Sequence, residues 1–229
     1  MWARRERAPR NRRTAALNET DRAACRLYLT TPRHLGAGGA AAFAPVLAAA
    51  LTGGDVACLL LRLDDADDDE IRAAVAALRP LAQGRGVAFL TDGRPGIAAE
   101  TGADGVHVEG ADAYEAARRA VGADAIVGVG CGGSRHAAMT AAERGADYVA
   151  FGSFAAAAGP DPELLAWWSE LMTVPCVAAG DAAPAEAAAL ARAGADFIAS
   201  GDAVWDHPDG PAAAVRALLA AIAAAREAS

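Results

Sequence analysis

The chain has 229 residues, 54% hydrophobic but only 5% aromatic, which suits one large domain with a core of Ala, Val and Leu. Its net charge of -8 is uneven, because residues 1–13 hold six Arg and one Glu and so set a +5 segment before a body of -13. An acidic body argues against a nucleic-acid partner, no apolar run reaches the ~18 residues of a membrane span, and the basic start lacks the apolar stretch of a secretory signal.

Residues 1–22 read as a disordered Arg-rich extension and 23–229 as the folded domain. Cys25, Cys58, Cys131 and Cys176 lie far apart in or beside apolar runs. With no CxxC pair they predict buried reduced thiols and a cytoplasmic protein. The chain contains no lysine, which excludes Schiff-base chemistry, pyridoxal phosphate on its own lysine, and a P-loop lysine.

Short apolar runs follow at an even pace. Strands are predicted at 26–31, 56–64, 87–92, 105–109, 125–131, 148–153, 175–181 and 197–202. Several are apolar on both faces, as in parallel sheets covered by helices. Between them lie helical patterns. In 69–83, Ile71, Val75 and Leu78 share a stripe. The run 134–145 opens on a capping Ser and closes on a Gly, and 184–194 opens on Pro and closes on Gly. A last Ala-rich helix is predicted over 212–226.

Gly-Ala-Asp occurs five times; the copies at Gly102, Gly122, Gly145 and Gly194 each follow an Ala-rich run and precede an apolar one, while the copy at Gly110 follows an apolar run. The Gly suits a helix C-terminus, where a left-handed residue is needed, and the Asp can bond local backbone before the strand begins. In those four copies the tripeptide therefore marks a helix-to-strand loop. Eight strands alternating with helices predict a single (β/α)8 TIM barrel, and its chemistry should sit at the strand C-termini, on the opposite rim.

Those strand ends offer two candidate groups. Asp92, Glu109 and Asp112 are carboxylates on adjacent strands, able to hold Mg²⁺ with substrate phosphate completing its shell. Capping and turn formation by Asp112 and Asp92 are the alternative. After strands seven and eight, Gly180, Ser200 and Gly201 occupy the place where barrels often bind phosphate. Asp181 and Asp202 share that rim, either facing the cavity or capping the helices that follow. Trp167 and Trp168 would mark a homodimer contact if both were exposed; otherwise one packs on the barrel and the other lies half-covered.

Taken together, the motifs resemble the thiamine phosphate synthase and thiazole tautomerase family over residues 26–204. "TDGRPGIAAETGADGVHVEGAD" is similar to that family's Asn-Asp…Gly-Ala-Asp-Gly-Val-His-Leu-Gly-Gln-x-Asp segment. "VGVGCGGSRHAAMTAAERGADYVAFGS", "VPCVAAGD" and "AGADFIASGDAV" follow in the family's order and spacing. The resemblance implies a transferase of thiamine biosynthesis that joins a hydroxymethylpyrimidine diphosphate to a thiazole phosphate. Diphosphate would leave first, and the thiazole nitrogen would capture the resulting cation. It implies Mg²⁺ on Asp92 and Asp112, Arg62 as the catalytic cation on strand two, and Gly180 at the thiazole-phosphate site.

The chain departs from the family at Leu60, Asp64, Thr91, Gly130, Asp181 and Asp202, and in the loop "SFAAAAGPD". Gly132 stands where the tautomerase has its His. These changes predict an anionic mouth where relatives are cationic. Three readings stay open: an altered transferase acting on phosphorylated substrates, a degenerate non-catalytic barrel that binds a ligand or partner, and an enzyme for an uncharged or cationic substrate.

Overall fold

The computed structural model describes residues 25–36, 38–156 and 159–227. The proposed boundary between extension and domain lies outside them. Eight strands form the barrel: β1 (Arg26–Thr30), β2 (Val56–Leu61), β3 (Ala88–Asp92), β4 (Gly105–Glu109), β5 (Ile126–Gly132), β6 (Tyr148–Gly152), β7 (Cys176–Ala179) and β8 (Phe197–Ser200). They pair in parallel in chain order, and β1 closes on β8 with Leu27 opposite Ile198. Every predicted strand is present, several of them shorter by a few residues.

The helices among the described residues are α1 (Gly39–Ala50), α2 (Asp68–Gln83), α3 (Pro95–Thr101), α4 (Tyr114–Val121), α5 (Arg135–Arg144), α6 (Pro162–Leu171), α7 (Pro184–Arg192), α8 (Asp202–Trp205) and α9 (Pro211–Glu227). Local chemistry sets their starts. Asp67 accepts from the N–H groups of Asp69 and Glu70, while Glu70 reaches back to the N–H of Asp67, a capping box on α2. Ser134 caps α5 through the N–H of Ala137. Ile71, Val75 and Leu78 are buried, as their spacing requires.

Two cores result. Outward residues such as Leu27, Leu29, Leu59 and Leu61 pack beneath the helices. Inside the barrel, small Ala side chains leave room for Tyr28, Tyr148, Phe154 and Phe197. Gly128 makes that possible: a Cβ there would stand 1.9 Å from Cζ of Tyr148. Trp168 is fully buried, with its indole N–H donating to the carbonyl of Val174 at 2.8 Å. Trp167 is half-buried beneath the Arg135 guanidinium, 4.6 Å from the ring centroid. The tandem tryptophans thus follow the packed-and-half-covered alternative.

The aspartates of the Gly-Ala-Asp loops do more than punctuate. Asp104 accepts the N–H of Phe89 at 2.9 Å, Asp147 that of Val127 at 2.8 Å, and Asp196 that of Cys176 at 2.8 Å. Each stands just before an even-numbered strand and fastens it to the odd-numbered strand preceding it. Asp55, just before β2, does the same to β1 through the side chain of Arg26, with bonds of 2.7 and 2.8 Å. The bond expected to local backbone therefore runs across the floor, to the neighbouring strand. The copy at 122–124 precedes an odd strand, and Asp124 is exposed.

Asp147 is buried and also pairs with Arg118. Removing one member of such a pair strands both a cation and a buried N–H, so Asp147→Ala should cost about 3–5 kcal/mol. Asp124→Ala, at the same place in the same tripeptide, should change stability by less than about 0.5 kcal/mol. Urea denaturation of the two variants checks the contrast.

Candidate active site

The mouth is built on side chains that rise from the interior core. Tyr28 and Tyr148 share a hydroxyl–hydroxyl bond of 2.9 Å, and Tyr148 Oη lies 3.0 Å from Nδ1 of His107. The rings of His107 and Tyr148 are stacked, and Phe154 stacks on Tyr28 and meets His107 edge-on. His107 is wholly buried, and its Nε2 has no hydrogen-bond partner. That nitrogen lies 3.6 Å from Glu109 Oε1, beyond hydrogen-bond length. Burial pushes the Tyr28 and Tyr148 hydroxyls well above their ordinary range, so both stay protonated.

Above this layer sit the charges. Arg62, just past β2, is mostly buried, and its Nε lies 3.2 Å from Asp92 Oδ2 at the end of β3. Its backbone is fixed by Thr31, whose hydroxyl accepts from the N–H of Arg62 and donates to its carbonyl. Burial raises the Asp92 carboxyl above the usual range, and the charge of Glu109 adds to this, while His107 and Arg62 oppose it. Glu109 is held below its usual range, first by the His107 ring beside it. Its carboxylate lies over Gly130 on β5, where a Cβ would come within 2.2 Å of Oε2. Burial, aided by the Glu109 charge, pushes the Cys131 thiol up to about 12, so it is no nucleophile near neutral pH.

The expected anionic mouth requires correction, because arginines pair with its acids. Arg33, from the loop after β1, donates to Asp64 at 2.6 Å and holds that carboxyl below its usual range. Arg62 lies 3.9 Å from the same residue as well as pairing with Asp92. Counting charges along the sequence missed Arg33 because nothing local marks its loop as part of the site. Tyr28 and Tyr148 were missed because each reads as one more apolar strand residue.

The other candidates are dispersed. Asp112 lies on a 3-10 turn, Ala111–Ala113, fully exposed and 3.1 Å from Arg144. Its carboxyl makes no cap on α4. Ser200 is buried, with its hydroxyl donating to the carbonyl of Ala182 at 3.1 Å. Gly180 and Gly201 line a cavity of about 140 Å³ with Arg33, Arg62, Asp181 and Asp202. Asp181 lines this cavity and also caps α8: its Oδ1 accepts the N–H of Gly201 at 2.8 Å, and both its oxygens accept from Ala203, at 3.1 and 3.0 Å. His136 is exposed. Among the described residues no three of His, Cys, Asp and Glu gather as a metal cluster.

This geometry accompanies a clear kinship. Residues 27–204 match the family model described as thiamine monophosphate synthase. The chain belongs to that family, which serves thiamine biosynthesis. It is 57% identical over 198 residues to a thiamine-phosphate synthase of Rhodospirillum centenum, covering 83% of this chain and 94% of that one. Identity to a thiamine-phosphate synthase of Hyphomonas neptunium is 45%, over 85% of this chain and 92% of the relative. Among solved structures, thiamine phosphate pyrophosphorylase from Pyrococcus furiosus aligns with a TM-score of 0.76 at 26% identity, over 89% of this chain and 98% of that one. Orotidine 5'-phosphate decarboxylase from Pyrococcus horikoshii, at 18% identity and a TM-score of 0.63 over 85% of this chain and 99% of that one, shares the fold alone. This member of the thiamine monophosphate synthase family has an arginine–carboxylate pair, Arg62 and Asp92, at the mouth and a second arginine, Arg33, on the same cavity.

The pair has a measurable signature. Arg62 favours the ionised form of Asp92, so its removal leaves burial and Glu109 less opposed. In Arg62→Met the Asp92 carboxyl should titrate at a higher pH than in wild type, as followed by ¹³C NMR of labelled aspartate. An unchanged titration would show that the guanidinium does not set the charge of Asp92.

Proposed function

We propose that the mouth joins a hydroxymethylpyrimidine diphosphate to a thiazole phosphate, releasing diphosphate and forming thiamine phosphate. The observation that carries this reading is Arg62 held against Asp92, with Arg33 nearby: cationic donors and a carboxylate share one rim. Arg62 is the catalytic cation. Its planar fork suits a diphosphate, and donors aimed at departing charge are the main source of rate in such sites. His107, wholly buried with Nε2 unpartnered, supports the mouth from below beside Glu109, and Tyr148 fixes the orientation of its ring. Phe154 keeps water from the interior. Gly180, Ser200 and Gly201 remain the proposed neighbourhood of the thiazole phosphate, with Ser200 acting through the strand end it stabilises.

The donor set suits Mg²⁺, which is commonly held by one or two carboxylates together with substrate phosphates. Asp92 would hold it: its buried carboxyl, raised further by Glu109, gains from a cation. Asp112, exposed and paired with Arg144, is the proposed second carboxylate. When bound, Mg²⁺ would neutralise charge on the departing diphosphate. The protein is proposed to act in the cytoplasm on phosphorylated small molecules. No helix among the described residues is long and apolar enough to cross a membrane.

Incubation with both substrates and Mg²⁺ should yield thiamine phosphate and diphosphate in equal amounts, detected by mass spectrometry. Arg62→Ala should lower kcat by about 10²–10³, the loss typical of one preorganised charge-stabilising donor. Wild-type protein that forms no product would overturn the reading and favour the non-catalytic barrel.

A further inference from the structure

Beside the mouth, between α1 and α2, a groove of about 490 Å³ combines an apolar bed with an acidic rim. Leu35, Ala40, Leu63, Ala66, Ala74 and Ala77 form the bed. The rim belongs to residues 64–70, six acids in seven positions. Most of these are engaged. Asp64 takes Arg33 at 2.6 Å, Asp67 caps α2, Asp68 lies 3.2 Å from Arg94, and Asp69 lies 3.0 Å from Arg72. Asp65 is exposed and pairs with no described side chain, and Glu70 bonds the N–H of Asp67 through Oε2 alone. Both line the groove. Such a rim repels nucleic acid and anionic lipid, so its complement is a basic segment with an apolar anchor.

The chain carries that complement itself. Residues 1–13 hold six Arg, one Glu and Trp2, and they precede the family match, which begins at residue 27. Trp and Arg are the side chains that most often anchor an interface. We propose that residues 1–13 dock in this groove of their own barrel, with Trp2 on the apolar bed and Arg4, Arg5 and Arg7 against Asp65 and Glu70. Length permits it. The 23 residues from Trp2 to Cys25 span ~25–30 Å on average, and β1 lifts the chain from floor to mouth by only ~16 Å. A tether of that length supplies an effective concentration on the order of millimolar, so weak contacts suffice. Arg33 lines both the groove and the mouth cavity, so the docked segment lies against the ion pair at the edge of the site. The inference holds whatever reaction the barrel runs.

The test is ¹⁹F NMR of the full chain labelled with 5-fluorotryptophan. Of its four tryptophans, Trp2 is assigned by the signal that Trp2→Phe removes, and buried Trp168 reports the fold in the same spectrum. The Trp2 resonance should be displaced and broadened relative to a free peptide of residues 1–13. Two variants probe the groove. The first is Asp65→Asn with Glu70→Gln, which removes two charges while Asn tolerates the left-handed backbone at position 65 and Gln keeps the capping acceptor. The second is Ala77→Arg, which fills the bed with a repelling side chain. In both, with the Trp168 signal unmoved, the Trp2 resonance should return toward the peptide's position. About 0.5 M NaCl, where screening reaches only ~4 Å, should act in the same direction. A Trp2 signal already at the peptide's position in wild type would overturn the proposal, as would one displaced equally in wild type and both variants. A displacement lost on dilution would also overturn it, and would assign the groove to the arm of a second copy.

Discussion

A carboxylate bonded to the backbone of the neighbouring strand holds this barrel's floor. Parallel strands joined through helices have no tight turn to set their register, so something else must fix where each returning strand begins. Here an aspartate stands immediately before β4, β6 and β8 and accepts an N–H from β3, β5 and β7, while Asp55 grips Arg26 to fasten β2 to β1. A hydrogen bond to a charged acceptor contributes about 1.5–3 kcal/mol. More important for function, the bonds fasten the two strands of each of four βαβ units to each other at one end. The opposite ends of the strands then meet with side chains at set heights, and the distances at the mouth follow.

The same economy of pairing governs the mouth. Acids that would repel a phosphate when counted in isolation are engaged: Asp64 with Arg33, Asp92 with Arg62, Asp181 with backbone donors. Net charge is therefore a poor guide to the field in the cavity. What matters is which acids have a cation within reach. Below them, the bonded series Tyr28–Tyr148–His107 forms a rigid layer whose one unpartnered polar point is a buried ring nitrogen.

Most of the fold could be read from the sequence, because strand and helix signals are local. Apolar runs, capping residues and terminal glycines each depend on neighbours a few positions away, and Gly-Ala-Asp located the floor. The destination of its aspartate could not be read that way, since its partner lies some 15 to 20 residues upstream. The site was legible in part for the same reason. Arg62 and Asp92 stand at strand ends and could be named, and they do meet. Arg33 sits in a loop without periodicity and reaches the mouth only through closure of β1 beside β2. The partners of Asp112 and Ser200 are equally non-local, Arg144 on a helix and the carbonyl of Ala182.

Glu109 and Gly130 stand opposite each other on β4 and β5, and the carboxylate of one fills the space above the other. The two positions thus form one steric unit. The family segment quoted above has a glycine where Glu109 stands, so this chain carries its bulk at the first position and needs the glycine at the second. Any side chain placed at position 130 alone would evict the Glu109 carboxylate from beside His107, and with it a charge felt by Asp92 and Cys131. Chimeras of this barrel should exchange the two residues together, or they will report a collision rather than a role.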